Sequence, residues 1–420
     1  MRIVADLHIH SPYSRAVSKD MTLENLDTWA RLKGITVMGT GDFTHPAWIK
    51  EIKSKLEPAE QGLYRIKKQV VSSKDDATRF LLTVEISSIY SKGGKTRRVH
   101  NLFFFPSIES AEKFNGQLAW QGNLKSDGRP ILGIDSKQLA KIALDVDARA
   151  MVIPAHAWTP WFSVFGSMSG FDSLEECFDE YAKYIYAIET GLSSDPAMNW
   201  RLSKLDNIGI ISNSDSHSLQ KIGREANVFD TDLSYNGIMD AIKSHDPKQF
   251  LFTIEFYPEE GKYHYDGHRN CNFSCGPEET KRLKKICPKC GKPMTVGVMF
   301  RVDELADRPV GAKSPHAIPF KSLVPLNEII AESFGVGTAS KKVKEEYMRI
   351  VEKLGSEFAT LVDASKSDLE RATVPEVVEG IMRVREGRLH IEPGFDGEYG
   401  KVKIFEDDER REITKQVSLF

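Results

Sequence analysis

The chain has 420 residues, of which 40% are hydrophobic and 28% charged, enough apolar material for a full core. That length suits about two or three domains. Its 57 Lys and Arg against 60 Asp and Glu leave a net charge of −3, which excludes a polycationic nucleic-acid coat but not a local basic patch.

The first 260 residues alternate short apolar runs with helix-like stretches. Residues 3–7 read as a strand. Thr22 suits the cap of a helix carrying Leu23, Leu26, Ala30 and Leu32, with Gly34 where that helix ends. Strand-like runs follow at 35–38, 80–84, 101–105, 151–155, 184–188 and 208–212, making seven. Helical patterns at 136–144 and 173–184 lie between them. The alternation predicts a largely parallel sheet, open or closed.

Polar residues recur just past the ends of these runs. His8 and His10 follow the first, Asp42 and His45 the second, Glu85 the third, His156 the fifth, and Asp215 with His217 the seventh. In (β/α) barrels the chemistry sits at those strand ends. His100 opens the fourth run instead, which suggests a local irregularity or a reversed strand. Beyond residue 300 the parallel rhythm is lost. A long amphipathic helix is predicted over 342–361 and another over 374–384, with short strand-like pieces between 387 and 404.

Asp6-Leu7-His8-Ile9-His10 is the sharpest local signal. On a strand, residues i and i+2 share a face, so His8 and His10 can meet one cation. The bland alternative is a pair of polar histidines at a strand end. Glu85, His100, His156 and Asp215 add the mixed N and O donors that suit zinc, manganese or iron. Asp215-Ser216-His217 repeats the i, i+2 spacing at a second strand end. Asp195, between Ser194 and Pro196, reads as a turn carboxylate, a metal ligand or a general acid/base. Glu189 suits a supporting partner better than a ligand.

Cys271, Cys275, Cys287 and Cys290 lie within twenty residues of one another. Two close pairs with a medium gap fit one structural zinc better than disulfides, because five cysteines are an odd count. Cys177 stands apart and suits a packed apolar position. Lys281, Arg282, Lys284, Lys285, Lys289 and Lys292 surround the cluster, so this stretch reads as either a solvated face or a nucleic-acid contact. The loop with Trp158, Trp161, Phe162 and Phe165 could stack on a base or simply pack. Arg97, Arg98 and Arg224 are candidate phosphate contacts. Residues 1–6 show no hydrophobic signal core, and no run approaches the ~20 apolar residues of a membrane span. A cytoplasmic protein without a membrane partner is expected.

His8-Ile9-His10, the Gly41-Asp42 turn, Glu85, His100, His156 and Asp215-Ser216-His217 resemble the ordered motifs of the polymerase-and-histidinol-phosphatase (PHP) superfamily. That resemblance implies an α/β fold, a distorted seven-stranded (β/α) barrel over residues 1–260, and hydrolysis of phosphate esters with two or three divalent ions. His8, His10, Glu85 and Asp215 would hold the first ion. Glu85 would bridge to a second, held also by His100 and His156. His217 would serve a third, with Asp42, His45 and Asp195 as its candidate partners; Asp42 and Asp195 are also the catalytic candidates.

The whole chain, with its four-cysteine insert at 261–300 and mainly helical DNA-binding region at 301–420, resembles the endonuclease Q family. The stretches 41–45, 189–196 and 212–217 carry that likeness. It implies a DNA-repair enzyme that nicks double- or single-stranded DNA on the 5′ side of uracil, hypoxanthine or xanthine and at abasic sites. The ions it implies are zinc, or manganese or magnesium in use, plus one structural zinc. Unassigned repair proteins are possible partners. Two other readings stand beside it. One is a phosphatase or phosphodiesterase acting on small esters or nucleotides. The other is a non-catalytic DNA-binding module.

Overall fold

The computed structural model describes residues 1–68, 78–406 and 409. All seven expected runs form strands, and their burial explains why they could be read. Arg2–Asp6 (β1) sends Ile3 and Ala5 into one apolar cluster and Val4 into another, the period of two at work. Val37–Gly39 (β2) lies parallel to β1. Leu56–Pro58 (β3) and Tyr64–Ile66 (β4) pair antiparallel at one margin of the sheet. Arg79–Lys92 (β5) starts parallel to β2, then turns through Gly93-Gly94 into the antiparallel Lys95–Phe105 (β6). Ile131–Leu132 (β7) pairs with β5, and Met151–Pro154 (β8) pairs antiparallel with β6.

Ala187–Glu189 (β9) and Gly209–Ile211 (β10) form a separate parallel pair. Ala226–Asp230 (β11) runs antiparallel to β1, and Phe250–Glu255 (β12) antiparallel to β11. The fold is therefore mixed α/β around an eleven-stranded sheet, not a largely parallel one. The physical reason is connection length: the two-glycine turn between β5 and β6 permits only an antiparallel return. The fourth run is reversed for the same reason, and His100 lies in the middle of β6 rather than at its start. Glu85 lies within β5 rather than past its end, because the hairpin extends the strand well beyond the expected run.

Leu23–Lys33 is the first helix, with Thr22 accepting from the Asn25 N–H and Gly34 at its C-terminus. Ser136–Val146 forms as expected. The 173–184 pattern splits into a short helix, Leu174–Phe178, and a 3₁₀ stretch, Asp179–Tyr184. In the insert, Asp266–His268 (β13) and Phe273–Cys275 (β14) form a hairpin, followed by helices Pro277–Arg282 and Val298–Leu305.

Phe320–Ser322 (β15) then adds to the central sheet beside β12, and four helices follow: Leu326–Phe334, Lys341–Leu354, Lys366–Ala372 and Pro375–Glu386. The helix expected over 342–361 stops at Leu354, where Gly355 takes φ +93°, and a π-helical turn Ala359–Asp363 continues. His390–Glu392 (β16) and Lys401–Lys403 (β17) close a hairpin. Residues 407–408 and 410–420 of the expected C-terminal region lie outside the described residues. Among the described residues, no helix is long and apolar enough to cross a membrane.

Candidate active site

The turns after β1 and β10 lie side by side, with the His10 N–H donating to the Ser216 carbonyl at 3.0 Å. This brings His8, His10, Glu85 and Asp215 into one group whose ligand atoms all lie within 4.8 Å of one another. Glu85, His100 and His156 form a second such group, so Glu85 belongs to both. Its Oε1 lies 2.6 Å from His100 Nδ1 and 3.0 Å from His156 Nε2. Its Oε2 lies 3.3 Å from His10 Nε2 and accepts from Arg129 Nη1 at 3.0 Å. Asp215 Oδ1 lies 3.1 Å from His10 Nε2 and 3.5 Å from His8 Nε2.

The donor set fits a cation. His8 Nε2 is buried without a hydrogen-bond partner, a cost of about 1–3 kcal/mol that a bound ion would remove. Burial would raise the Glu85 carboxyl, but the surrounding histidines and the Arg129 guanidinium hold it well below the usual range. Burial opposes the Asp215 carboxylate too, and His8 and His10 hold it low. Burial pushes the His100 imidazole down to about 4, which leaves a ring nitrogen free to ligate near neutral pH.

The Nδ1 atoms of His8 and His10 are oriented by carboxylates. Glu189, at the end of β9, sits 3.0 Å from His8 Nδ1 and accepts from the His156 backbone N–H at 2.9 Å and from Asn213 Nδ2 at 2.9 Å. Glu189→Gln is expected to weaken divalent-ion affinity by about 10–100-fold without unfolding the chain, read by metal titration alongside circular dichroism. Three residues at this rim, Asp42, His156 and Asp215, have positive φ, the kind of strain that concentrates at functional sites. Gly191 permits one of these turns, since a Cβ there would lie 2.4 Å from the His156 Cβ.

Among the described residues, His217, Asp42, His45 and Asp195 do not form a third ligand group. His217 lies beside the first ligand group, its ring 4.7 Å from the His10 ring, and its Nδ1 donates to the Asp215 carbonyl at 2.9 Å. Asp42 is committed: Oδ1 holds His10 Nδ1 at 3.0 Å, and Oδ2 accepts from the Ser11 N–H and hydroxyl and from the Ser14 hydroxyl. It orients a ligand rather than acting as one. His45 stacks on Tyr13 at 4.4 Å. Asp195 caps helix Pro196–Asn199 through the Met198 N–H, and burial raises its carboxyl. Neither His45 nor Asp195 enters a ligand group. Arg129 had no sequence signal; it lies in an irregular Asp-Gly-Arg-Pro segment.

Two solved structures match this chain over almost its whole length. The lesion-specific endonuclease PfuEndoQ of Pyrococcus furiosus is 33% identical with a TM-score of 0.84, covering 97% of this chain and 96% of that one. Endonuclease Q in complex with a 27-mer duplex substrate, with an abasic lesion at the active site, is 33% identical with a TM-score of 0.82, covering 97% and 98%. The chain belongs to the endonuclease Q family. YqxK, an uncharacterized protein of Bacillus subtilis, is 31% identical over 96% of this chain and 99% of YqxK. The uncharacterized MJ0043 of Methanocaldococcus jannaschii is 32% identical over 59% of this chain, which spans only 31% of that longer relative. A family profile described as the MJ0043 C-terminal domain matches residues 325–388.

The aromatic loop divides. Trp158 is core, 1% exposed, with Nε1 donating to Asn199 Oδ1 at 2.7 Å. Trp161 is 37% exposed and meets Tyr263 edge-on at 5.6 Å. Arg97 lies 4.1 Å over the Phe171 ring and bonds the Gly170 carbonyl, so it packs the loop. Arg98 lies over Phe162, and Arg224 Nε donates to the Ser214 carbonyl beside Asp215. Lys284 is exposed, and Lys285 covers Phe300 at 4.4 Å.

The cysteine cluster also differs from expectation. His268, Cys271, Cys287 and Cys290 form the ligand group, and Cys275 instead faces the Thr280 hydroxyl at 3.2 Å. The β13–β14 register explains it: Cys275 pairs with Asp266, whereas His268 pairs with Phe273 at the end nearer Cys271. The spacing His268-x2-Cys271 was the signal for it.

Proposed function

We propose that this chain is a metal-dependent DNA endonuclease that incises at damaged nucleotides, on the 5′ side of deaminated bases and at abasic sites. The observation that carries this reading is the pair of buried ligand groups sharing Glu85, in a chain that aligns end to end with endonuclease Q. Divalent ions held there would lower the pKa of a bound water toward neutrality and offset charge on the phosphate. Glu85 sets the separation of the two groups. Glu189 and Asp42 orient His8 and His10. Arg129, beside Glu85, is placed to meet a phosphate oxygen.

A cavity of about 200 Å³ lies between the His156 loop and the insert, lined by Thr159, Trp161, Ser193, Tyr263 and His264 among others. Thr159 also touches His156 Nδ1 at 3.2 Å, so this cavity adjoins the ligand groups. Trp161 and Tyr263 offer faces for an unstacked base, whose extraction costs less when it is mispaired. The basic insert, with one zinc on His268, Cys271, Cys287 and Cys290, and the helical C-terminal region supply further DNA contact. The barrel reading is supported by an inner apolar cluster that takes Ile3, Val37, Leu81, Leu102, Ile153, Ala187 and Ile211, at least one from each of the seven expected strands.

The test is a duplex carrying one deoxyuridine, deoxyinosine or abasic site beside an unmodified control, with metal, with chelator and with Asp215→Ala. A metal-dependent nick at the lesion, missing from control and mutant, is expected. Phosphate release from small monoesters without lesion-dependent nicking would support a general phosphatase instead.

A further inference from the structure

The loop from His156 to Asp172 contains no helix or strand, yet it carries one ligand and covers another. Phe162 lays its ring 4.8 Å from the His100 ring, and its carbonyl accepts from the His100 N–H at 3.0 Å. Several of its carbonyls accept from N–H groups within the loop, but those of Phe165 and Phe171 take a donor from outside it. Helix Val298–Leu305, tied to the insert through the Lys281–Asp303 pair and by Lys285 over Phe300, supplies it through one side chain. Arg301, 9% exposed, donates Nε to the Phe165 carbonyl at 3.1 Å and Nη2 to the Phe171 carbonyl at 3.1 Å. Its Nη2 also meets Asp172 Oδ1 at 2.5 Å, and its Nη1 meets Glu304 at 2.7 Å. The path to the site is short: the Phe165 N–H donates to the Ala157 carbonyl at 2.9 Å, and Ala157 adjoins His156.

We propose that Arg301 is a positioning residue through which the cysteine-cluster module holds the His100–His156 ligand wall in place. The inference rests on reading Glu85, His100 and His156 as a divalent-ion group. A planar fork is needed, because two carbonyls on different turns of the loop accept from one head group; a lysine ammonium lacks that geometry. Arg201 provides the control. It is equally buried and ties the barrel to the same helix through Asp303 at 2.5 Å, but it bonds no residue of the loop.

Full-length wild type, Arg301→Ala, Arg301→Lys and Arg201→Ala would be titrated with manganese and with zinc, and bound metal counted by mass spectrometry. Thermal melts would report folding. Arg301→Ala is expected to weaken one of the two active-site ions about 10–100-fold, the range seen when a ligand loses its orienting partner. Added guanidinium should restore it in part, Arg301→Lys should restore little, and Arg201→Ala should stay within twofold of wild type. Unchanged binding of both ions by Arg301→Ala would overturn the inference and leave the metal reading standing. Equal losses in Arg201→Ala would also overturn it, since docking of the insert would then suffice. A wild-type protein that binds no second active-site ion would overturn both.

Discussion

Glu85→Gln is expected to lower turnover by about 10²–10³-fold and to leave at most one active-site ion bound, the scale of loss when preorganised transition-state electrostatics are removed. The substitution keeps the side chain's volume, and the backbone is held by the β5–β6 ladder, where Glu85 faces Leu102. What changes is charge and donor pattern. An amide replaces one carboxylate oxygen with a donor. That donor would face either His100 and His156, or His10 and the Arg129 guanidinium, depending on its orientation. Either way one ligand group loses its shared oxygen. Metal content by mass spectrometry, steady-state nicking and circular dichroism separate the outcomes. A Glu85→Gln protein that keeps two ions and loses less than tenfold in rate would refute the bridging role.

The parts of the fold that could be read from the chain are those where a single physical rule dominates. Residues 3–5 and 102–105 alternate between two apolar environments, so their period of two survives as an unbroken hydrophobic run. Strand β11 does not read that way, because Asn227 sits buried within it. It is paid for by hydrogen bonds from Asn227 Nδ2 to the Ser212 carbonyl and Asn213 Oδ1, which only the folded chain supplies.

The candidate site divides along the same line. Histidines at i and i+2 on a strand end announce a shared face, and the structure brings His8 and His10 together with Glu85 and Asp215. The fate of a carboxylate depends on which donors arrive from elsewhere. Asp42 and Asp195 are indistinguishable from ligands in sequence, yet one is consumed by His10, Ser11 and Ser14 and the other by a helix N-terminus. Arg129 is invisible for the opposite reason: an arginine in an irregular segment has no spacing rule, and only the fold reveals its contact with Glu85.

A buried ion pair ties the C-terminal helices to the first helix, and Glu357→Ala is expected to loosen that attachment. Lys33, at the end of the first helix, places Nζ 2.6 Å from Glu357 Oε2, with side-chain exposures of only 3% and 6%. The same carboxylate accepts from the Leu326 N–H at 3.1 Å, where helix Leu326–Phe334 begins, and from the Tyr347 hydroxyl at 2.7 Å on the next helix. Three elements therefore converge on one side chain. Removing it strands a buried ammonium and two donors, a cost of about 3–5 kcal/mol for a broken buried pair. Because the helices 326–386 pack largely on one another, the expected result is an earlier, separate melting transition rather than a uniform shift. DNA affinity should fall in parallel if this region grips the duplex. Lys33→Met alone should cost a similar amount, since it leaves the carboxylate unpaired. The double variant Lys33→Met with Glu357→Ala should cost less than the sum, because neither charge is then buried alone. Additive losses in calorimetric melts of the four proteins would show that the two side chains act independently and that the pair does not hold the interface.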